Sequence, residues 1–122
     1  MTQDDIARTI NRYLELASVA EGADIAVLYA DNATVEDPVG STPHVGTAAI
    51  AAFYDSVRSP NRTIDLITLR VSGETAAFHF RVVTVVDGRT ITVEPIDVMT
   101  FDDRGRITSM RAIWTTEDIV VS

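Results

Sequence analysis

The dipeptide Asp87-Gly88 lies between two long runs of alternating side chains, and it constrains the architecture of this chain more than any other feature. From Thr75 to Val86, Ala76, Phe78, Phe80 and Val82 fall on one side of an extended backbone. Arg89 to Phe101 forms the second run. An Asp-Gly pair between two such runs is a strong hairpin signal, because both central residues of the tight turn need positive φ. The runs are therefore read as antiparallel partners. Arg62 to Val71 joins them through the turn Ser72-Gly73-Glu74, and Ile107 to Trp114 follows the turn Asp102-Asp103-Arg104-Gly105.

The first half has a different period. Thr2, with Asp5 three residues on, resembles a capping box, and Ile6, Ile10, Tyr13, Leu14 and Ala17 then recur at helical spacing. A second short helix is expected near Asp24, carrying Ile25, Leu28 and Tyr29 on one side. Ala33 to Glu36 reads as a short strand ended by the turn Asp37-Pro38-Val39-Gly40. Thr47 is the expected N-cap of a third helix with Ile50, Phe53, Tyr54 and Val57 on one face. Helices followed by a meander define an α+β class, with the helices packed on one face of a curved sheet.

Composition narrows the chemistry. The 122 residues fit one domain, taken as residues 1–122, and an apolar fraction of 46% argues against disorder. No apolar run approaches the ~20 residues of a membrane span, and no basic stretch leads into an apolar one at the start. A soluble, cytoplasmic protein is expected. The net charge of -8 disfavours nucleic acid and acidic membrane surfaces as partners. All 10 basic residues are arginine, which excludes Schiff-base chemistry and a phosphate-loop lysine. With no cysteine there is no thiolate nucleophile, and the two histidines, His44 and His79, stand far apart, which disfavours a zinc site.

One residue breaks the local rule. If the run Arg89–Phe101 continues without a bulge, Asp97 shares a face with Ile91, Val93, Pro95, Met99 and Phe101. A bare carboxylate is very costly to bury, so such a group takes up a proton instead and becomes a hydrogen-bond donor. Two other readings stand beside this one. Pro95 marks a bulge that turns Asp97 to solvent, or Asp97 pairs with Arg81 or Arg111. Asp37 alone reads as local turn chemistry before a proline. Tyr13, Tyr29 and Tyr54, taken singly, read as core residues whose hydroxyls need partners, and Trp114 as core.

Taken together these residues carry a resemblance. Tyr29-Ala30-Asp31-Asn32-Ala33-Thr34-Val35-Glu36-Asp37-Pro38-Val39-Gly40 resembles the signature of bacterial Δ5-3-ketosteroid isomerases. So do Ile50-Ala51-Ala52-Phe53-Tyr54, Ile96-Asp97-Val98-Met99 with Phe101-Asp102, Arg12-Tyr13, and Met110 with Trp114. The resemblance runs from about Ile6 to Trp114. It implies a cone-shaped fold of the nuclear-transport-factor-2-like (cystatin-like) type: three helices on a strongly bent, mostly antiparallel sheet around one deep apolar pocket, usually dimeric through the sheet.

The resemblance also implies an activity, conversion of 3-oxo-Δ5-steroids to their conjugated Δ4 isomers through a dienolate. Asp37 would be the base that carries a proton from C4 to C6, and Tyr13 and a neutral Asp97 the donors to the C3 oxygen. Ketosteroid isomerases are themselves the known instance of such a protonated acid beside a tyrosine, so the pairing is taken over from the family. Tyr54 and Tyr29 would support Tyr13. Phe53, Phe78, Phe80, Val82, Met99, Met110, Ala112 and Trp114 would form the apolar wall, with the Trp114 N–H directed toward Asp37. No metal or organic cofactor is implied, and a steroid substrate and a homodimer are. The same fold hosts polyketide cyclases, epoxide hydrolases and non-catalytic carriers of hydrophobic ligands, which stand as alternatives.

Overall fold

The computed structural model describes residues 2–122. Helix α1 (Gln3–Leu16) starts where the sequence places it. The Asp5 amide donates to Thr2 Oγ1 at 3.1 Å and the Thr2 amide to Asp5 Oδ2 at 3.0 Å, closing the capping box. Ile6, Ile10 and Tyr13 form its buried stripe. Each such isoleucine contributes about 1.5–3 kcal/mol by leaving water. Helix α2 (Gly22–Ala26) and helix α3 (Thr47–Val57) complete the helical layer.

The strands are β1 (Tyr29–Glu36), β2 (His44–Val45), β3 (Arg62–Ser72), β4 (Thr75–Val86), β5 (Arg89–Val93), β6 (Ile96–Phe101), β7 (Ile107–Ile113) and β8 (Val120–Val121). They form one sheet in the order β2-β1-β7-β6-β4-β5-β8, with β3 on the other side of β4. Every pairing is antiparallel except β1 with β7, which is parallel. Asp87 and Gly88 both take positive φ, 51° and 76°, as the hairpin between β4 and β5 demands. Among the described residues no helix is long and apolar enough to cross a membrane.

The structure adds the two-residue strands β2 and β8 and departs from the expected elements at Tyr29, at the start of α3, at Trp114 and at Pro95. Tyr29 is not on α2 but opens β1, because the chain leaves the helix after Ala26 and joins β7, where the Ile107 amide donates to the Leu28 carbonyl at 2.9 Å. The cap of α3 is Gly46, at φ 88°, and not Thr47, which is the first helical residue. The last long strand ends at Ile113, so Trp114 stands just beyond it. The run Arg89–Phe101 is two strands, because Pro95 has no amide to continue the ladder.

The break at Pro95 does not shift the register. Val82 faces Val93 on one side of it and His79 faces Ile96 on the other, a uniform pairing without a bulge. Parity therefore carries through the proline. Along β6, Asp97, Met99 and Phe101 point inward while Ile96 is exposed.

Candidate active site

The inner face of the sheet and the helical layer enclose a cavity of about 260 Å³ onto which Tyr13, Asp37 and Asp97 all open. Each comes from a different element. Tyr13 lies on the last turn of α1, Asp97 is the second residue of β6, and Asp37 follows the last residue of β1.

Asp37 is held by the turn that follows it. The Val39 amide donates to the Ala112 carbonyl at 2.8 Å, and Gly40, at φ 102°, brings its amide to Glu36 Oε2 at 3.0 Å. Glu36 also accepts from Arg111 Nε at 3.0 Å. Trp114 Nε1 donates to Asp37 Oδ1 at 2.7 Å. Burial raises the Asp37 pKa, and the Trp114 hydrogen bond and the nearby His44 oppose that rise. The result is a part-buried carboxylate of heightened basicity that keeps a donor for its charge.

Asp97 lies in different surroundings. Its residue is only 2% exposed, and Oδ1 has no hydrogen-bond partner. The two arginines that could have neutralised it are engaged elsewhere, Arg81 with Glu94 at 3.0 Å and Arg111 with Glu36 at 3.0 Å. Burial first, and then the negative charge of Asp37, push the Asp97 pKa well above the carboxylate range. A neutral acid with a free polar edge facing a cavity is able to donate a hydrogen bond to an occupant.

Tyr13 belongs to a chain of phenols. Tyr54 Oη lies 3.0 Å from Tyr13 Oη and 2.6 Å from Tyr29 Oη, all three residues being buried. Burial keeps each phenol protonated far above its ordinary range, and Asp97 adds to this for each. Tyr54 touches the ring of Tyr13 edge-on at 6.0 Å, and Phe78 meets Tyr13 in the same way at 6.4 Å.

Among the expected wall residues, Phe53, Phe80, Val82, Ala112 and Trp114 line the cavity. Phe78, Met99 and Met110 do not. They point inward as parity requires, but they are fully buried in the packed core behind the cavity surface. Tyr29 likewise stands behind Tyr54 and not on the wall. Residues not foreseen for the wall are Leu14 on α1 and Ala17 at its C-cap, Val57 at the end of α3, Ile64 and Val93 on the sheet, Pro95 between β5 and β6, and Arg62. Leu14 and Ala17 carried a signal in the helical stripe that contains Tyr13, and Ile64 one in the alternation of β3. Arg62 shares the parity of Ile64, but a charged strand residue ordinarily faces solvent.

A shallower depression of about 510 Å³ lies between α2 and the start of α3 and is open to solvent. Its charged side chains are Asp31 and Arg106, 3.9 Å apart. Tyr29 lines this depression, whereas Tyr13, Tyr54, Asp37 and Asp97 line the smaller cavity. Among the described residues no group of three or more His, Cys, Asp or Glu side chains is arranged to hold a metal ion.

A curved open sheet with three helices over one apolar cavity defines a nuclear-transport-factor-2-like domain, here with two acids and a phenol opening onto that cavity. Residues 10–110 match the SnoaL-like domain. The chain belongs to the SnoaL-like family and, within it, to the steroid Delta-isomerase group of sequences. It is 44% identical over 118 residues to a protein named Steroid Delta-isomerase from Nocardioides simplex, a match covering 97% of this chain and 96% of that one. The fold is also similar to that of SalBIII, an epoxide hydrolase/cyclase-like enzyme described in pyran ring formation in the polyether salinomycin. The TM-score is 0.82 at 25% identity, over 98% of this chain and 95% of the other.

Proposed function

We propose that this protein is a steroid Δ-isomerase that moves the double bond of a 3-oxo-Δ5-steroid into conjugation by intramolecular proton transfer. The observation that carries the reading is Asp97, buried to 2% exposure with Oδ1 unpartnered, on the same cavity as Tyr13 and Asp37. Such a group is costly in stability and makes physical sense as a donor awaiting an acceptor.

In this mechanism Asp37, ionised, removes a proton from C4, and the electron pair flows toward C3 to give a dienolate with negative charge on the C3 oxygen. Tyr13 and protonated Asp97 each donate a hydrogen bond to that oxygen. Both are fixed before charge develops, and one such donor is worth on the order of 10²–10³ in rate. Asp37 then returns the proton to C6, with general-base catalysis contributing on the order of 10²–10⁴. The Tyr54–Tyr29 pair holds the Tyr13 hydroxyl in place.

The cyclase-like fold neighbour marks the rival chemistry, but its likeness supports the fold and not a shared substrate. The discriminating assay is the rise of conjugated-enone absorbance from 5-androstene-3,17-dione. Turnover by the native protein is expected, as is loss of turnover with retained binding of a planar phenolic steroid in Asp37→Asn. An inert native protein, or an active Asp37→Asn, overturns the assignment.

We further assign a cytoplasmic homodimer. Ile96 and Ile113 are directly opposed across β6 and β7 on the outer sheet face, at 45% and 50% exposure, an apolar patch suited to a second sheet. Sedimentation at assay concentration is expected to give a dimer, and a monomer there refutes it.

A further inference from the structure

Among the described residues Arg62 is the one basic residue on the cavity wall. It opens β3, opposite Thr84 on β4, whereas Asp97 faces Phe78. Those two levels are six positions apart on β4, so the arginine and the neutral acid stand at opposite ends of the site, roughly 20 Å apart along the strand. The Arg62 guanidinium is held in place, with Nε donating to Thr84 Oγ1 at 3.1 Å and Nη1 to the Val57 carbonyl at 2.8 Å. These bonds use two of its five N–H donors.

What Arg62 lacks is a counter-charge. The ion pairs among the described residues engage Arg8, Arg12, His79, Arg81, Arg106 and Arg111, and Arg62 is in none of them. In a chain of net charge -8 an acid partner would be easily supplied. Instead a half-buried cation, its charge disfavoured by desolvation, faces an apolar cavity. A fixed guanidinium with spare donors, partly withdrawn from water, is built to receive an anionic oxygen.

We propose that Arg62 is a specificity-determining residue that recognises a carboxylate on the end of the substrate remote from its 3-oxo group. This rests on the isomerase reading of the same site. The substrate class it selects is a 3-oxo-Δ5-steroid bearing an acid on its D-ring or side chain. The carboxylate lies against Arg62 while the ring ketone reaches Tyr13 and Asp97, so one charge pair orients the molecule end to end.

The test compares two 3-oxo-Δ5-steroids with one ring system, one carrying a 17β-carboxylate and the other its methyl ester. Native protein is expected to favour the acid in kcat/KM, through KM. In Arg62→Gln the acid-to-ester ratio is expected to fall about ten- to a hundredfold, the range for a charged hydrogen bond, with partial recovery in Arg62→Lys. Added salt is expected to shrink the native preference. Because the readout is a ratio, general damage to the fold cancels. Equilibrium binding of the same two compounds, followed by the fluorescence of the single tryptophan Trp114, reads the preference without turnover. An equal ratio in native and Arg62→Gln proteins, by both readouts, overturns the proposal. Selective binding without isomerisation of either compound would sink the isomerase reading while leaving the Arg62 assignment standing.

Discussion

Trp114 and Asp37, 77 residues apart in sequence, are joined by a 2.7 Å hydrogen bond from the indole N–H to the carboxylate. The bond sets how basic Asp37 can be. Burial alone raises its pKa and favours the protonated, idle form, whereas the indole donor stabilises the anion. A proton shuttle needs a compromise between the two: basic enough to take the proton, ionised enough to be ready.

Replacing Trp114 by phenylalanine removes that donor and keeps an aromatic wall. The Asp37 pKa is then expected to rise, so the acidic limb of the kcat/KM profile moves to higher pH. Activity below neutrality falls more than activity above it. A pH–rate profile of the variant checks this. An unmoved limb would mean that Asp37 is not the titrating base.

Tyr54 is the hub between Tyr13 and Tyr29. Tyr54→Phe leaves two buried hydroxyls short of a partner, at a cost of about 1–3 kcal/mol in stability. It also frees the Tyr13 hydroxyl, and kcat is expected to fall about tenfold, less than the ~10²–10³ of Tyr13→Phe. Denaturant melts and steady-state rates on the two variants test the order. A Tyr54→Phe loss as large as that of Tyr13→Phe would place Tyr54 itself on the substrate.

The inward position of Asp97 was legible in the sequence because the β4 register is uniform across Pro95, so simple alternation survives a residue that usually disrupts it. The hairpin at Asp87-Gly88 was legible because its backbone needs are local. Tyr29 was misplaced because Ile25, Leu28 and Tyr29 fit a helical stripe as well as a helix that ends and a strand that begins. Alternation also says which face a side chain takes but not how far along the strand the cavity reaches. Phe78, Met99 and Met110 therefore share the inward face yet belong to the core. β2 and β8, at two residues each, are too short to have a period. The use of Arg62 depends on Thr84 and Val57, contacts no local pattern encodes.

Gly22 offers a test of the helical layer. A Cβ built there would lie 1.9 Å from the Ala51 carbonyl oxygen, so α2 and α3 touch where only hydrogen fits. Gly22→Ala is expected to destabilise by about 1–3 kcal/mol, the range for overpacking. α3 carries Tyr54, so the displaced helix also loosens the phenol chain. Thermal unfolding reads the first effect and kcat the second. A variant as stable as the native protein would show that α2 moves away at little cost.

Asp97 links function to stability through pH. Its pKa is well above the unfolded value of 3.8, chiefly through burial. The native state therefore keeps a proton that the unfolded chain releases above about pH 4. Between those two pKa values the unfolded state binds fewer protons than the native one, so stability falls as pH rises, with a slope approaching 1.4 kcal/mol per pH unit from this group. The opposite would hold for a salt-bridged acid. Asp97→Asn has no such titration. Its stability curve is expected to be flatter above pH 4 and to lie above the native curve at pH 7, while kcat falls by on the order of 10²–10³ with one oxyanion donor weakened. Urea unfolding across pH 4 to 8, on both proteins, checks this. If the two curves run parallel, Asp97 is ionised in the folded protein and has no proton to donate.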